Sequence, residues 1–369
     1  MTLWIIVLFS VMAFLWASVI YLGFRIPHLF TFMSNMGELK QFLCGCFLTF
    51  ALGGIITLCL NFVNGIICII YLALFWMAGD FIFWFIQKAF GISFDVYYAG
   101  WVAFIGTIIS LSIGWYLNFN VWQTNYNLST NKKVSDLKIA MFADSHLGTT
   151  FDAAGFEKHL QKIQAENPDL LVIVGDFVDD DTPKEDMLKA TELLGKMKTK
   201  YGVYLVFGNH DKGYYGFNGF SAQDLREKLK ENNVKLLSDE VVLLNDSFYL
   251  IGRKDYSEVQ EKRSNRLSMS ELTENLDKDK YMIVLDHQPA DYENQAKSEV
   301  DLVLSGHTHG GQLFPFNQVG KLIGANDMVY GHKKQNKTDF IVTSGISSWA
   351  IKFKTGTKSE FVIINVKEK

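Results

Sequence analysis

Five short segments of this 369-residue chain concentrate side chains able to bind or move charge. They read DSH (144–146), GDFVDD (175–180), GNHD (208–211), DHQP (286–289) and GHTHGG (306–311), and they take five of the eight histidines. Imidazole and carboxylate are nitrogen and oxygen donors to divalent metals. No thiolate accompanies them, so Mn, Fe and Zn suit the set, with Co and Ni also admissible. Each segment alone is weak: GHTH also reads as a polar turn, and a lone His287 as a satisfied structural histidine. Five donor-bearing segments in series are hard to explain without a shared site.

The elements that must position them follow from hydrophobic patterning. Strand-like runs lie at 137–143, 170–174, 203–207, 241–251, 281–285, 301–304, 339–343 and 360–366. Amphipathic stretches at about 153–166, 184–199 and 222–232 fall among the first four of them. Every donor segment begins where a strand-like run ends, and strand-end loops of α/β sheets converge on one crevice. Strands alternating with helices, then mainly strands, predict an α/β/β/α sandwich of two packed sheets with outer helices.

The rest of the chain belongs to another solvent. Residues 1–117 carry only Arg25, Glu38, Lys40, Asp80, Lys88 and Asp95 as charged side chains. Apolar runs at 3–24, 42–62, 65–86 and 97–117 each reach the roughly 20 helical residues needed to cross a bilayer. The expected organisation is a membrane domain of about four helices (1–118), a polar linker (119–136) and a catalytic domain (137–369). Arg25, Lys40 and Lys88 would share one side, with Lys132 and Lys133 on the other; basic residues favour the cytoplasm, so the catalytic domain is expected outside it. All four cysteines lie in the membrane part, which agrees with that placement. Asp80, inside the third run, is expected to be a protonated or hydrogen-bonded carboxyl buried between helices, without a second charge.

The order D-x-H, G-D, G-N-H-D, H, G-H-x-H resembles the calcineurin-like metallophosphoesterase superfamily over roughly 137–369. The GHTHGGQ and TSGISSW stretches are similar to its bacterial membrane-associated branch. That resemblance implies two divalent metal ions: Asp144, His146 and His309 would hold the first, Asn209, His287 and His307 the second, and Asp176 would bridge both. Glycines 306, 310 and 311 would let backbone approach the metals. Two metals about 3.5–4 Å apart lower the pKa of a bridging water and clamp phosphate oxygens for in-line attack. By the same resemblance His210 faces the leaving group as general acid or charge stabiliser, with Asp211 or Asp179 orienting its ring.

The expected activity is hydrolysis of a phosphodiester or diphosphate bond at the membrane, in a lipid- or envelope-linked substrate. A phosphodiesterase or phosphatase for soluble nucleotides, and a degenerate metal-binding membrane sensor, are the alternatives. Nucleic acid is not an expected partner, because the net charge is −4 and no basic stripe is evident. KGYYGFNGF (212–220) and FPF (314–316) are candidate apolar lips for an acyl chain or the bilayer. Lys212, Arg253 and Lys254 are candidates to meet a phosphate headgroup, solvated surface charge being the other reading.

Overall fold

A computed structural model describes residues 2–214 and 216–369. The chain forms two compact units, Met1–Trp115 with Ala350–Lys352, and Tyr116–Trp349 with Phe353–Lys369.

In the first unit, helices α1 (Thr2–Arg25), α2 (Glu38–Cys59), α3 (Phe62–Phe90) and α4 (Tyr98–Phe119) form where apolar residues run on without proline. Asn61 caps α3 by accepting from the Asn64 N–H, and Gly91, in the left-handed region, ends it. All four are long and apolar enough to cross a membrane. Large side chains such as Phe9, Phe47, Leu58 and Phe81 stay exposed on them. In water each would forfeit the roughly 1.5–3 kcal/mol that burial brings, so these surfaces suit lipid. Leu22, Ile69, Leu72, Trp76 and Ala103 pack inside. Asp80 differs from its expectation in having a companion charge: its carboxylate pairs with Arg25 Nε at 2.9 Å and accepts from the Tyr21 and Tyr97 hydroxyls at 2.5 Å. Arg25 closes α1 and reaches back, as long cationic side chains do near helix ends.

The second unit holds two six-stranded sheets. The first orders its strands β1 (Val121–Thr130), β12 (Ser359–Glu368), β2 (Leu137–Phe142), β3 (Leu170–Val174), β4 (Val203–Val206) and β5 (Val234–Leu237). The second runs β10 (Gly331–Gln335), β11 (Thr338–Val342), β9 (Leu302–Ser305), β8 (Tyr281–Leu285), β7 (Phe248–Gly252) and β6 (Glu240–Asn245). One apolar core lies between the sheets, around Met141, Val172, Leu250, Ile283 and Ile341. A second joins the outer face of the first sheet to helices α5 (Ala153–Ala165), α6 (Lys184–Gly195) and α7 (Ala222–Glu231), and a third lies outside the second sheet. The predicted sandwich is the observed one. Phe156, Leu160 and Ile163 make the buried stripe of α5, and β3 is buried on both faces, as parallel strands are.

Two expectations need correction, and two strands were missed. The linker of 119–136 contains β1, paired in parallel with β12 over ten residues. Its asparagines and threonines disguise it, because an edge strand leaves much of its side-chain surface to solvent. The run 241–251 is a hairpin, β6 and β7, turning where Asn245 Oδ1 accepts from the Ser247 and Phe248 amides. The polar edge strand β10 and the short β5 carry too little apolar alternation to register.

His159 on α5 offers a test of this packing. Burial first, then Lys162 and Lys158, push its imidazole down to about 4, and its Nδ1 is buried without a hydrogen-bond partner. Between pH 6.5 and about 4 the unfolded chain then binds the extra proton, so stability falls as the pH drops through that window. His159→Gln should flatten the loss of melting temperature between pH 7 and 4.5 relative to the wild type.

Candidate metal centre

The strand ends bring the predicted donors together through unusual backbone. Asp144, His146, Asp176, His307 and His309 have φ of 54°, 35°, 52°, 68° and 48°. A side-chain-bearing residue there costs on the order of 1–3 kcal/mol, so the surrounding structure must hold it. Hydrogen bonds do: the Asp144 N–H donates to Gly175 O, the His146 N–H to Asp176 O, and the His307 N–H to Asp144 Oδ1 at 2.9 Å.

Two donor groups result. Asp144, His146 and His309 place ligand atoms within 4.8 Å of one another, as do Asp176, His287 and His307. Asp176 stands between the groups: its Oδ2 lies 3.1 Å from His287 Nε2 and 3.7 Å from His146 Nε2. Its Oδ1 accepts from the His210 N–H at 2.9 Å. The rings are turned from behind, His287 by Val174 O at 2.8 Å from Nδ1 and His309 by Ser347 O at 3.4 Å. Each Nε2 is left for a metal, the outer partner fixing ring orientation. Burial pushes His307 down to about 4 and His309 well below its ordinary range, so both stay neutral near pH 7, the form that ligates.

Several buried polar atoms here lack hydrogen-bond partners: His146 Nε2, His287 Nε2 and Asn209 Oδ1. Such atoms cost about 1–3 kcal/mol each when left unsatisfied, and divalent cations would satisfy them. The donor set therefore fits two metals. Gly208 and Gly306 permit the approach. A Cβ at Gly208 would sit 2.1 Å from Asp176 Oδ1, and one at Gly306 2.6 Å from Asp144 Oδ2. Glycines 310 and 311 do something else, abutting Thr357 and Ser344, and Asn317 O, respectively.

His210 is oriented by Asp179, whose Oδ1 lies 3.0 Å from its Nδ1. Burial alone would lower the His210 pKa, but that bond and the charges of Asp176, Asp179 and Asp180 raise it to about 9. Asp179 also stands 3.2 Å from His146 Nδ1. Burial works against its charge, yet the two imidazoles hold it well below the usual carboxylate range. His146, Asp179 and His210 form a third donor cluster. Because both histidines turn Nδ1 to the carboxylate, we read it as an orienting pair of contacts. Asp211 has a different task from the one expected. It accepts from the Val178 and Gly208 amides at 3.0 and 2.8 Å, tying the GD and GN loops together.

The other sequence candidates divide. Arg253 is buried on Asp286 and Asp291 at 3.1 and 2.9 Å, and Arg266 joins it on Asp286, so neither faces a headgroup. That network holds the strand end just before His287. Lys212 pairs with Glu258 at 2.7 Å and Lys254 with Asp239 at 3.7 Å. Phe217 and Phe220 stack at 4.5 Å and pack into the core, while Tyr215 lies outside the described residues. Phe314 remains exposed.

Sequence reasoning missed a buried pair behind the site. Lys354 Nζ, pushed down to about 7 by burial, donates to Ser344 O at 2.6 Å and Gly345 O at 3.3 Å. Glu360 accepts from Thr343, the Ser344 N–H, Tyr330 and Thr124. Together they fix the loop that seats Gly345 against Asp144. Glu360, a charge at the start of the apolar run of β12, was the available signal.

Replacing Gly208 tests the crowding around Asp176. Gly208→Ala should leave the protein folded but strip it of most bound metal after Mn loading and desalting. Gly54→Ala, whose Cβ would meet nothing within 4 Å, should retain wild-type metal content.

Comparison with known proteins agrees with this geometry. A family model described as calcineurin-like phosphoesterase matches residues 137–311. An uncharacterized metallophosphoesterase of Aquifex aeolicus is 31% identical over 250 residues, 66% of this chain and 91% of its own. One from Campylobacter jejuni is 34% identical over 63% of this chain and 60% of its own. A transmembrane protein with metallophosphoesterase domain from Bos taurus is 27% identical over 62% and 52%. The chain thus spans little more than half the length of the last two.

Proposed function

As the chain belongs to the calcineurin-like phosphoesterase family, we propose that it is a membrane-anchored two-metal hydrolase of a phosphodiester or diphosphate bond. The observation that carries this reading is Asp176, standing between two donor groups and hydrogen-bonded to the backbone of His210. Asp144, His146 and His309 would hold one cation, and Asn209, His287 and His307 the other, with Asp176 available to both. Bound there, the metals supply a water of lowered pKa and Lewis-acid contacts to the phosphate oxygens. The protein does the rest. Asp179 fixes the His210 ring with Nε2 turned outward, where a protonated imidazole hands its proton to the departing oxygen. The positive charge on His210 is favoured by three carboxylates.

The substrate we propose is lipid- or envelope-linked. Four apolar helices support an anchored site, and an anchor suits substrates confined to two dimensions. Exposed Phe314, Val319, Leu322 and Ile323, shortly after the GHTHGG loop, favour the same class. The distribution of lysine and arginine supports a catalytic unit outside the cytoplasm, which a reporter fused after residue 369 reads directly.

The test uses the full-length protein in detergent with Mn, on phospholipids, nucleotide-sugar lipids, cyclic nucleotides and aryl phosphodiesters. Lipid-linked compounds should turn over fastest, and soluble nucleotides fastest would move the assignment to a nucleotide phosphodiesterase. Asp176→Asn should lose at least about 100-fold on every compound, beyond the 10–100-fold typical of outer-shell partners. Equal rates for wild type and variant would end the enzymatic reading. Asp179→Asn should cost about 10–100-fold, mostly in kcat. The rate limb that reports His210 should also move to lower pH, because the imidazole loses the carboxylate that raises its pKa.

A further inference from the structure

We propose that Trp349 is the platform of a ring-binding subsite on the leaving-group side of the metal centre. It selects substrates that carry a flat ring, a nucleobase or the C–H face of a sugar, next to the scissile phosphate. The inference rests on the functional reading above and narrows its substrate class.

Beyond residue 118 the chain has just two tryptophans, Trp122 and Trp349. Trp349 is 46% exposed, and its ring centre lies 5.4 Å from that of His210, inclined at 51°. An indole left about half exposed keeps a large apolar surface free for a ligand. Beside the proposed proton donor it lies where a departing group must pass.

Its position is held from several sides. Ile346 is fully buried and its N–H donates to Ala143 O at 2.9 Å. The Ser347 hydroxyl meets that of Thr150 at 2.5 Å, and its carbonyl faces His309 Nδ1. Ser348 is fully buried. The residue presenting the indole therefore follows three anchored ones, tied to the same strand end and histidine that build the first metal group. His210 is equally fixed, by Asp179 at its ring and Asp176 at its backbone. Anchoring the three residues before it limits where the indole can go, which lowers the entropy lost when a ring settles on it. Aromatic rings reward such stacking without reading hydrogen-bond patterns, so the subsite selects shape before identity.

Equilibrium binding to the Mn-loaded full-length protein tests this without turnover. Phenylphosphonate and ethylphosphonate present the same charged head, and differ in the ring. The wild type should prefer phenylphosphonate by roughly 5- to 150-fold, the range of aromatic stacking. Trp349→Ala should abolish the preference with ethylphosphonate binding unchanged, and Trp349→Phe should keep most of it. Equal affinities in the wild type, or a preference that survives Trp349→Ala, would overturn the proposal, as would an equal loss for both ligands. Uridine monophosphate binding above glucose 1-phosphate in a Trp349-dependent way assigns a nucleobase, and the reverse order a sugar. The two levels of inference fail separately. Ring preference without hydrolysis of any phosphodiester sinks the enzymatic reading alone, and hydrolysis without ring preference sinks the subsite alone.

Discussion

Two dications a few ångströms apart repel, and a buried anion has to stand between them. In the proposed two-metal centre Asp176 would take that position, and much of the second unit serves to hold its carboxylate between the two donor groups. It follows β3 at positive φ, which a bare hydrogen bond would not sustain. Gly208 leaves room for its carboxylate, the His210 N–H orients one oxygen, and His287 and His146 face the other. Asp211 fastens the two loops that converge on it. With no cation present, these groups would leave ring nitrogens buried and unpaired, which is a poor way to stabilise a fold and a good way to prepare a metal site.

The polar network extends outward in layers with separate duties. Asp179 serves two imidazoles, coupling a member of the first donor group to the proposed proton donor. Lys354 and Glu360 both bind backbone of the 343–345 loop, which sets Gly345 close against Asp144. Arg253 and Arg266 hold Asp286, the residue before His287. Removing either arginine or Asp286 would leave a partner charge buried, which costs more than the pair contributes. That asymmetry makes the layers hard to dismantle piecemeal.

The donor groups were legible because strand-end loops are short and each carries its donor within a few residues of the last apolar position. Sheet order, which brings β2, β3 and β4 against β8 and β9, was not needed to expect convergence. Conversely, β1 was hidden by asparagine and threonine on an edge, and β10 by its lysines. Asp179 and Asp211 were indistinguishable in sequence, since either spacing lets a carboxylate reach His210; loop curvature decides. The fates of Arg253 and of the aromatics at 217 and 220 depend on partners dozens of residues away, so single-residue chemistry was uninformative. Tyr21, Arg25 and Tyr97 around Asp80 show the same limit within the apolar helical unit.

The proposed chemistry requires that two cations share Asp176. Electron paramagnetic resonance of the full-length protein loaded with Mn addresses this directly. A spin-coupled pair in the wild type, replaced by isolated Mn or by no bound Mn in Asp176→Asn, is the predicted result. Only isolated, uncoupled Mn in the wild type, with a spectrum unchanged by that substitution, would contradict it.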